Sequence, residues 1–255
     1  MIFDDLVAEQ DRLDSILDGL DDAAWRSPSG AEGWSIADVV LHLAQTEEAV
    51  VATARGDSLG LTSHDDDDDG GGDGDDGGGD GTLDDFMDRR VRAQRAEPAV
   101  VFERWRSARR AAVSALRDAD PAQRLPWAAA PLKPTTLATT RLAEHWAHGL
   151  DITGPLGIPF PDTDRLQHIA WLALGSLPYA FTLVGEEPHD VFCVLDAPDG
   201  STWQYGSPET DSTITGSAGA FCRVGAQRLA PDESGLVASG PYGPVALRVL
   251  RNYAG

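Results

Sequence analysis

Glu144 and His148 are the first residues whose types and spacing allow chemistry. They lie in Arg141-Leu142-Ala143-Glu144-His145-Trp146-Ala147-His148-Gly149-Leu150-Asp151, a stretch that reads as a helix with Gly149 as its expected terminator. Four residues apart, their side chains fall about 40° from one another around a helix axis and share a face. A carboxylate and an imidazole so placed can grip one divalent cation but cannot close its coordination shell. His42, on an earlier amphipathic stretch, supplies the third ligand of a two-imidazole, one-carboxylate set. With water in the open position, that set suits zinc or another divalent transition metal. Spacing alone is a modest signal, because Glu-x-x-x-His also occurs as a plain surface pair on helices. His145 sits about 100° round the helix from Glu144 and is predicted to point to a neighbouring face. Asp151, three residues past His148, can accept a hydrogen bond from it and fix its tautomer, or serve as an ordinary helix-end acid.

The elements that must position these groups are mainly helical. Leu6, Leu13, Ile16, Leu17 and Leu20 give residues 4–18 a helical period. Ser35 is an N-cap with Asp38 in the capping-box position, and a helix is predicted from Ile36 to about Arg55, carrying His42. Residues 83–116 read as one long helix, with a possible break at Pro98. Thr135 or Thr136 is the expected cap of the helix bearing Glu144 and His148. That makes four helices in the first 150 residues, as in a bundle whose core holds a metal. A further long helix is predicted over 163–184. Residues 188–255 then change character. Val191–Leu195, Thr202–Tyr205 and Ser212–Gly216 are strand-like, with a hairpin signal at Asp199-Gly200. The prediction is a bundle over 1–187 and a small α+β domain over 188–255.

Composition narrows the function classes. The 255-residue chain has 42 acidic and 20 basic residues, a net charge of −22, and only one lysine, Lys133. Residues 65–81 are nine Asp and eight Gly, and the segment 60–81 is predicted to be a disordered, solvated insertion. It lacks the terminal Glu and flanking pattern of a calcium loop. Such a polyanion argues against nucleic-acid binding, which needs clustered cations, and fits a protein working in high salt, as in halophiles. The arginines between Arg89 and Arg110 read as a solvated helix face. No apolar run reaches membrane-spanning length, and the acidic N-terminus is unlike a signal peptide. Cys193 and Cys222 fit no disulfide framework. A cytoplasmic protein is expected, with a small-molecule partner.

Two stretches carry a resemblance, Gly33-Trp34-Ser35-Ile36-Ala37-Asp38-Val39-Val40-Leu41-His42-Leu43 and Glu144-His145-Trp146-Ala147-His148-Gly149-Leu150-Asp151. Together they resemble the mycothiol-dependent maleylpyruvate isomerase family, within the DinB-like group of metal-binding four-helix bundles. The likeness covers about residues 5 to 185. It implies that His42, Glu144 and His148 hold zinc or a similar ion, and that the ion binds the thiolate of a low-molecular-weight thiol. It implies addition or transfer of that thiol to a small electrophilic substrate, an anionic one in the isomerase itself. It also implies a sterol-carrier-like C-terminal domain, in which an arginine helps bind substrate. Arg228 is the preferred candidate, with Arg223 the alternative. A non-catalytic metal binder competes with this reading. So does a metal-assisted hydrolase using Asp151 or Glu47 as its base.

Overall fold

The computed structural model describes residues 1–57, 82–128 and 130–252. The acidic segment expected to be disordered, 60–81, lies outside the described residues. The fold is mainly helical with one four-stranded sheet near the C-terminus, as the sequence predicts. In chain order the elements are α1 (Ile2–Asp18), α2 (Asp22–Arg26), α3 (Ile36–Arg55), α4 (Leu83–Ala93), α5 (Pro98–Asp118), α6 (Pro134–Leu156), α7 (Leu166–Leu183), β1 (Phe192–Asp196), β2 (Thr202–Tyr205), β3 (Thr213–Ser217), α8 (Ala218–Gly225), β4 (Val237–Ser239) and α9 (Gly243–Val249). The chain packs as two compact units, Leu17–Pro134 and Met1–Ile16 with Thr135–Ala254. Among the described residues no helix is long and apolar enough to cross a membrane.

The Leu17–Pro134 unit is built on α3 and α5, which pack along much of their lengths. The stretch 83–116, read as one long helix with a break near Pro98, is indeed broken there into α4 and α5, the second starting at Pro98. Proline favours the first position of a helix, where its missing N–H costs nothing, so it starts α5 rather than kinking a longer helix. The short α2 is an element the periodicity missed. It is capped by Asp21, whose carboxylate accepts from Ala24 N at 2.8 Å, and it buries Trp25. Trp25 packs on Phe102, with ring centroids 5.4 Å apart, and Phe102 stacks on Trp105 at 6.1 Å. Several arginines of this unit meet carboxylates. Arg104 is bidentate on Glu48, Arg92 meets Asp88, and Arg106 reaches Asp18 and Glu103.

In the other unit the sheet has the order β2-β1-β3-β4. β1 pairs antiparallel with β2 and parallel with β3, and β3 pairs antiparallel with β4. α7 packs on α8, α9 and β2. Leu166–Leu183 has no Asp, Glu, Lys or Arg; its covered side carries Ile169, Ala173, Leu177 and Phe181, while Trp171, Tyr179 and Leu183 are exposed. Phe181, Leu195, Ile214 and Phe221 are fully buried here.

α6 departs from expectation at both ends. It starts at Pro134, so Thr135 and Thr136 lie in its first turn instead of capping it. It also runs through Gly149 to Leu156. The terminator is Gly157 (φ 64°), where Ile158 N donates to Thr153 O and Gly157 N to Gly154 O, the paired bonds of a Schellman end. Gly149 is required for another reason. A Cβ there would stand 2.6 Å from Phe160 Cζ, so the missing side chain admits the ring.

Candidate metal centre

α6 presents Glu144 and His148 on one face, as the four-residue spacing demands. His148 Nε2 lies 3.5 Å from Glu144 Oε2. The other ring nitrogen, Nδ1, is 2.9 Å from Asp151 Oδ2. In the neutral ring Nδ1–H donates to that carboxylate, which leaves the Nε2 lone pair on the Glu144 side. This is the arrangement by which a carboxylate orients a ligating histidine.

The charges agree with this geometry. Burial works against protonation of His148, but its hydrogen bonds to Asp151 and Glu144 outweigh it and raise the pKa to about 9. Burial likewise opposes the Asp151 carboxylate, yet the hydrogen bonds from His148 and Arg228 hold its pKa below the ordinary value. His145 behaves differently. It is fully buried, and its Nδ1 donates to Arg141 O at 2.8 Å. Burial, helped by Arg141, lowers its pKa to about 3, so it stays neutral.

Asp151 has a second clasp. Arg228 places Nε on Oδ1 and Nη2 on Oδ2, both at 2.7 Å, and its Nη1 donates to Ala226 O at 2.9 Å. The guanidinium is therefore engaged by the protein along its carboxylate-binding edge. Arg223, the alternative, forms a similar bidentate pair with Asp162, at 2.7 and 2.9 Å. Nothing in the sequence pairs Arg228 with Asp151, which are 77 positions apart.

His42 stands in the second turn of α3. The start of that helix is firmly fixed. Ser35 caps it by accepting from Asp38 N, and the Asp38 carboxylate accepts from Ser35 N, completing the capping box. Asp38 also accepts two bonds from Arg95, at 2.8 and 2.9 Å. Trp34 packs against the His42 ring with centroids 5.1 Å apart, and its indole N–H donates to Asp88 Oδ1 at 2.8 Å. The Trp34 and Asp38 of the motif thus act on His42 by holding its helix and its ring. Among the described residues, His42, Glu144 and His148 are a group whose side chains could hold a metal ion. His145 is not in that group.

Comparison with known proteins adds three findings. The model of the mycothiol maleylpyruvate isomerase N-terminal domain matches residues 6–153. Two uncharacterized proteins of Mycobacterium tuberculosis, from strains CDC 1551 / Oshkosh and ATCC 25618 / H37Rv, are each 32% identical over 257 residues, spanning 98% of this chain and 94% of theirs. The crystal structures of the mycothiol-dependent maleylpyruvate isomerase and of a mutant of it share the fold. Their TM-scores are 0.62 and 0.59 at 14% and 13% identity, with 95% of this chain and 95% of each of theirs covered. With a matching model over more than half its length and relatives aligned almost end to end, the chain belongs to the mycothiol maleylpyruvate isomerase N-terminal domain family.

Proposed function

We propose that this chain binds one divalent metal ion through His42, Glu144 and His148, and that it is a thiol-dependent transferase or isomerase acting on a small electrophile. The observation that carries the reading is the state of His148. Asp151 takes its Nδ1, and its Nε2 is turned to the carboxylate one helical turn back. The donor set fits the ion, since two imidazoles and one carboxylate with an open position are the ligands of catalytic zinc. A bound divalent ion would lower the pKa of a thiol and hold its sulfur as the nucleophile.

The chain's own residues support an external thiol. Cys193 and Cys222 are both fully buried, and burial raises both thiols well above the ordinary cysteine value, to about 12 for Cys193. Neither is a nucleophile at neutral pH. The names of the family and of the enzyme that shares the fold point to mycothiol as the thiol. Among the protein's own groups, Asp151 orients His148, Trp34 packs on the His42 ring, and the capping box holds the start of the helix that carries His42.

Metal analysis of the purified chain and of His42→Ala, Glu144→Ala and His148→Ala tests the ligand set. One ion per wild-type chain is expected, with marked loss in each variant. Undiminished stoichiometry in all three contradicts the assignment. The catalytic half is tested by incubating zinc-loaded protein with mycothiol, or another small thiol, and a panel of electrophiles. The expected product requires both metal and thiol, and the absence of any adduct or isomerised product would leave a metal binder without turnover.

A further inference from the structure

The geometry points to Arg228 as a positioning residue for the metal centre, acting through Asp151 on His148. The inference rests on the metal reading above and assigns the C-terminal segment a part in it.

Asp151 is 3% exposed and shares one oxygen between two donors. Oδ2 accepts from His148 Nδ1 at 2.9 Å and from Arg228 Nη2 at 2.7 Å, while Oδ1 accepts from Arg228 Nε at 2.7 Å. A carboxylate held by one donor is free to rotate about its last bond. Two parallel bonds from a planar guanidinium fix its plane. The direction in which Oδ2 meets the imidazole is therefore set by Arg228, and with it the direction of His148 Nε2.

Arg228 is itself aimed by the backbone. α8 ends in a Schellman turn, with Arg228 N donating to Arg223 O at 2.8 Å and Gln227 N to Val224 O at 2.9 Å. The left-handed position of such a turn is ordinarily glycine. Here it is Gln227, at φ 57°, the one non-glycine residue with positive φ among those described. The side-chain bond from Arg228 Nη1 to Ala226 O ties the guanidinium to the same turn. A turn adopted against local preference, with the next residue clasped onto a histidine's carboxylate partner, is how a site is braced from a distance.

A purely structural ion pair would hold the segment together without altering metal affinity. The discriminating measurement is therefore zinc affinity by competition with a chromophoric chelator, on the full chain. The proteins are wild type, Arg228→Met, Arg228→Lys, Asp151→Asn and the Arg228→Met/Asp151→Asn double variant. Thermal melting monitors folding, and the visible spectrum of the cobalt-substituted proteins reports ligand geometry. Arg228→Met and Asp151→Asn are each expected to weaken zinc binding about 10- to 100-fold. The double variant should be no weaker than Asp151→Asn within about threefold, because Arg228 acts through Asp151. Arg228→Lys, which keeps the charge but cannot make the paired bonds, should recover part of the loss. Wild-type affinity and cobalt spectrum in Arg228→Met, or losses that multiply in the double variant, overturn the inference. If Arg228→Met does not fold, Arg228→Lys decides, and unaltered zinc affinity in it counts against the inference. Wild-type protein that takes up neither zinc nor cobalt overturns the metal reading as well, whereas uptake indifferent to Arg228 overturns this inference alone.

Discussion

His148 Nδ1 lies 2.9 Å from Oδ2 of Asp151, three residues further along the same helix. Burial disfavours the charged ring, but Asp151 and Glu144 raise its pKa to about 9, so the metal-free imidazole carries a proton at neutral pH. A metal ion must displace that proton. Zinc affinity is therefore expected to rise from about pH 6 to about pH 9, with proton release on binding. Titration calorimetry in buffers of different ionisation enthalpy reads the release directly, and affinity that is flat over this range would contradict it. The sign for stability is opposite. The folded pKa exceeds the unfolded value of about 6.5. In metal-free protein the group's contribution is thus full below about pH 6.5 and lost as pH rises through about 9.

Asp38 links the α3 cap to Arg95. Asp38→Ala removes the acceptor of the capping box and of a bidentate pair, and is expected to cost about 2 kcal/mol. Asp38→Asn keeps an acceptor and should cost about half as much. Burial opposes the Asp38 charge, but the bonds from Arg95 and Ser35 lower its pKa. Its contribution is therefore present above the unfolded value of about 3.9 and is lost as pH falls through the lower folded one. Denaturant unfolding at about pH 7 and pH 3 should show the wild-type advantage over Asp38→Ala shrinking in acid.

Two helical glycines should respond oppositely to alanine. In Gly149→Ala the new Cβ meets Phe160 at 2.6 Å, and that ring carries Arg12 stacked at 3.5 Å from its centroid. Displacing the ring should outweigh the gain in helix propensity, for a net loss of about 1 kcal/mol. Gly175, in α7, has open space where a Cβ would go. Gly175→Ala should stabilise by about 0.5–1 kcal/mol. Chemical denaturation of the two variants compares them, and equal signs would undo the argument.

The local chemistry was legible in the chain and the long-range pairings were not. Ser35 and Asp38 announce a cap by spacing alone, and α3 runs over the residues so marked. Glu144 and His148 announce a shared helix face in the same way. Periodicity could not separate α4 from α5, because the apolar rhythm continues on either side of Pro98 and only proline's preference for a helix start divides them. Gly149 was misleading for a physical reason: glycine serves as a terminator or as a place for a neighbour, and the neighbour, Phe160, lies in a later loop. The partner of Arg228 depends on how the α8 turn meets α6, which no local pattern encodes.

The net charge of −22 predicts a salt response. Like charges repel in the compact state, and salt shortens the Debye length from about 10 Å at 0.1 M to about 3 Å at 1 M. The melting temperature should rise by several degrees between those concentrations of potassium chloride. A fall would mean that the screened pairs, such as Arg104 with Glu48 and Arg223 with Asp162, outweigh the general repulsion.

The cysteines offer a test that needs no ligand. Cys193 lies in β1 and Cys222 in α8, both free and buried, and burial pushes both thiols up. Cys222 Sγ also donates to Leu166 O at 3.6 Å, which ties it to α7. Thiolate is the reactive form, so at pH 8 the native protein should react with an aromatic disulfide reagent only as fast as it opens. Two equivalents should appear promptly in denaturant, and far fewer in native buffer over the same minutes. Prompt native reaction at either residue would place a usable thiolate within the protein. It would thereby weaken the case that the nucleophile comes from outside.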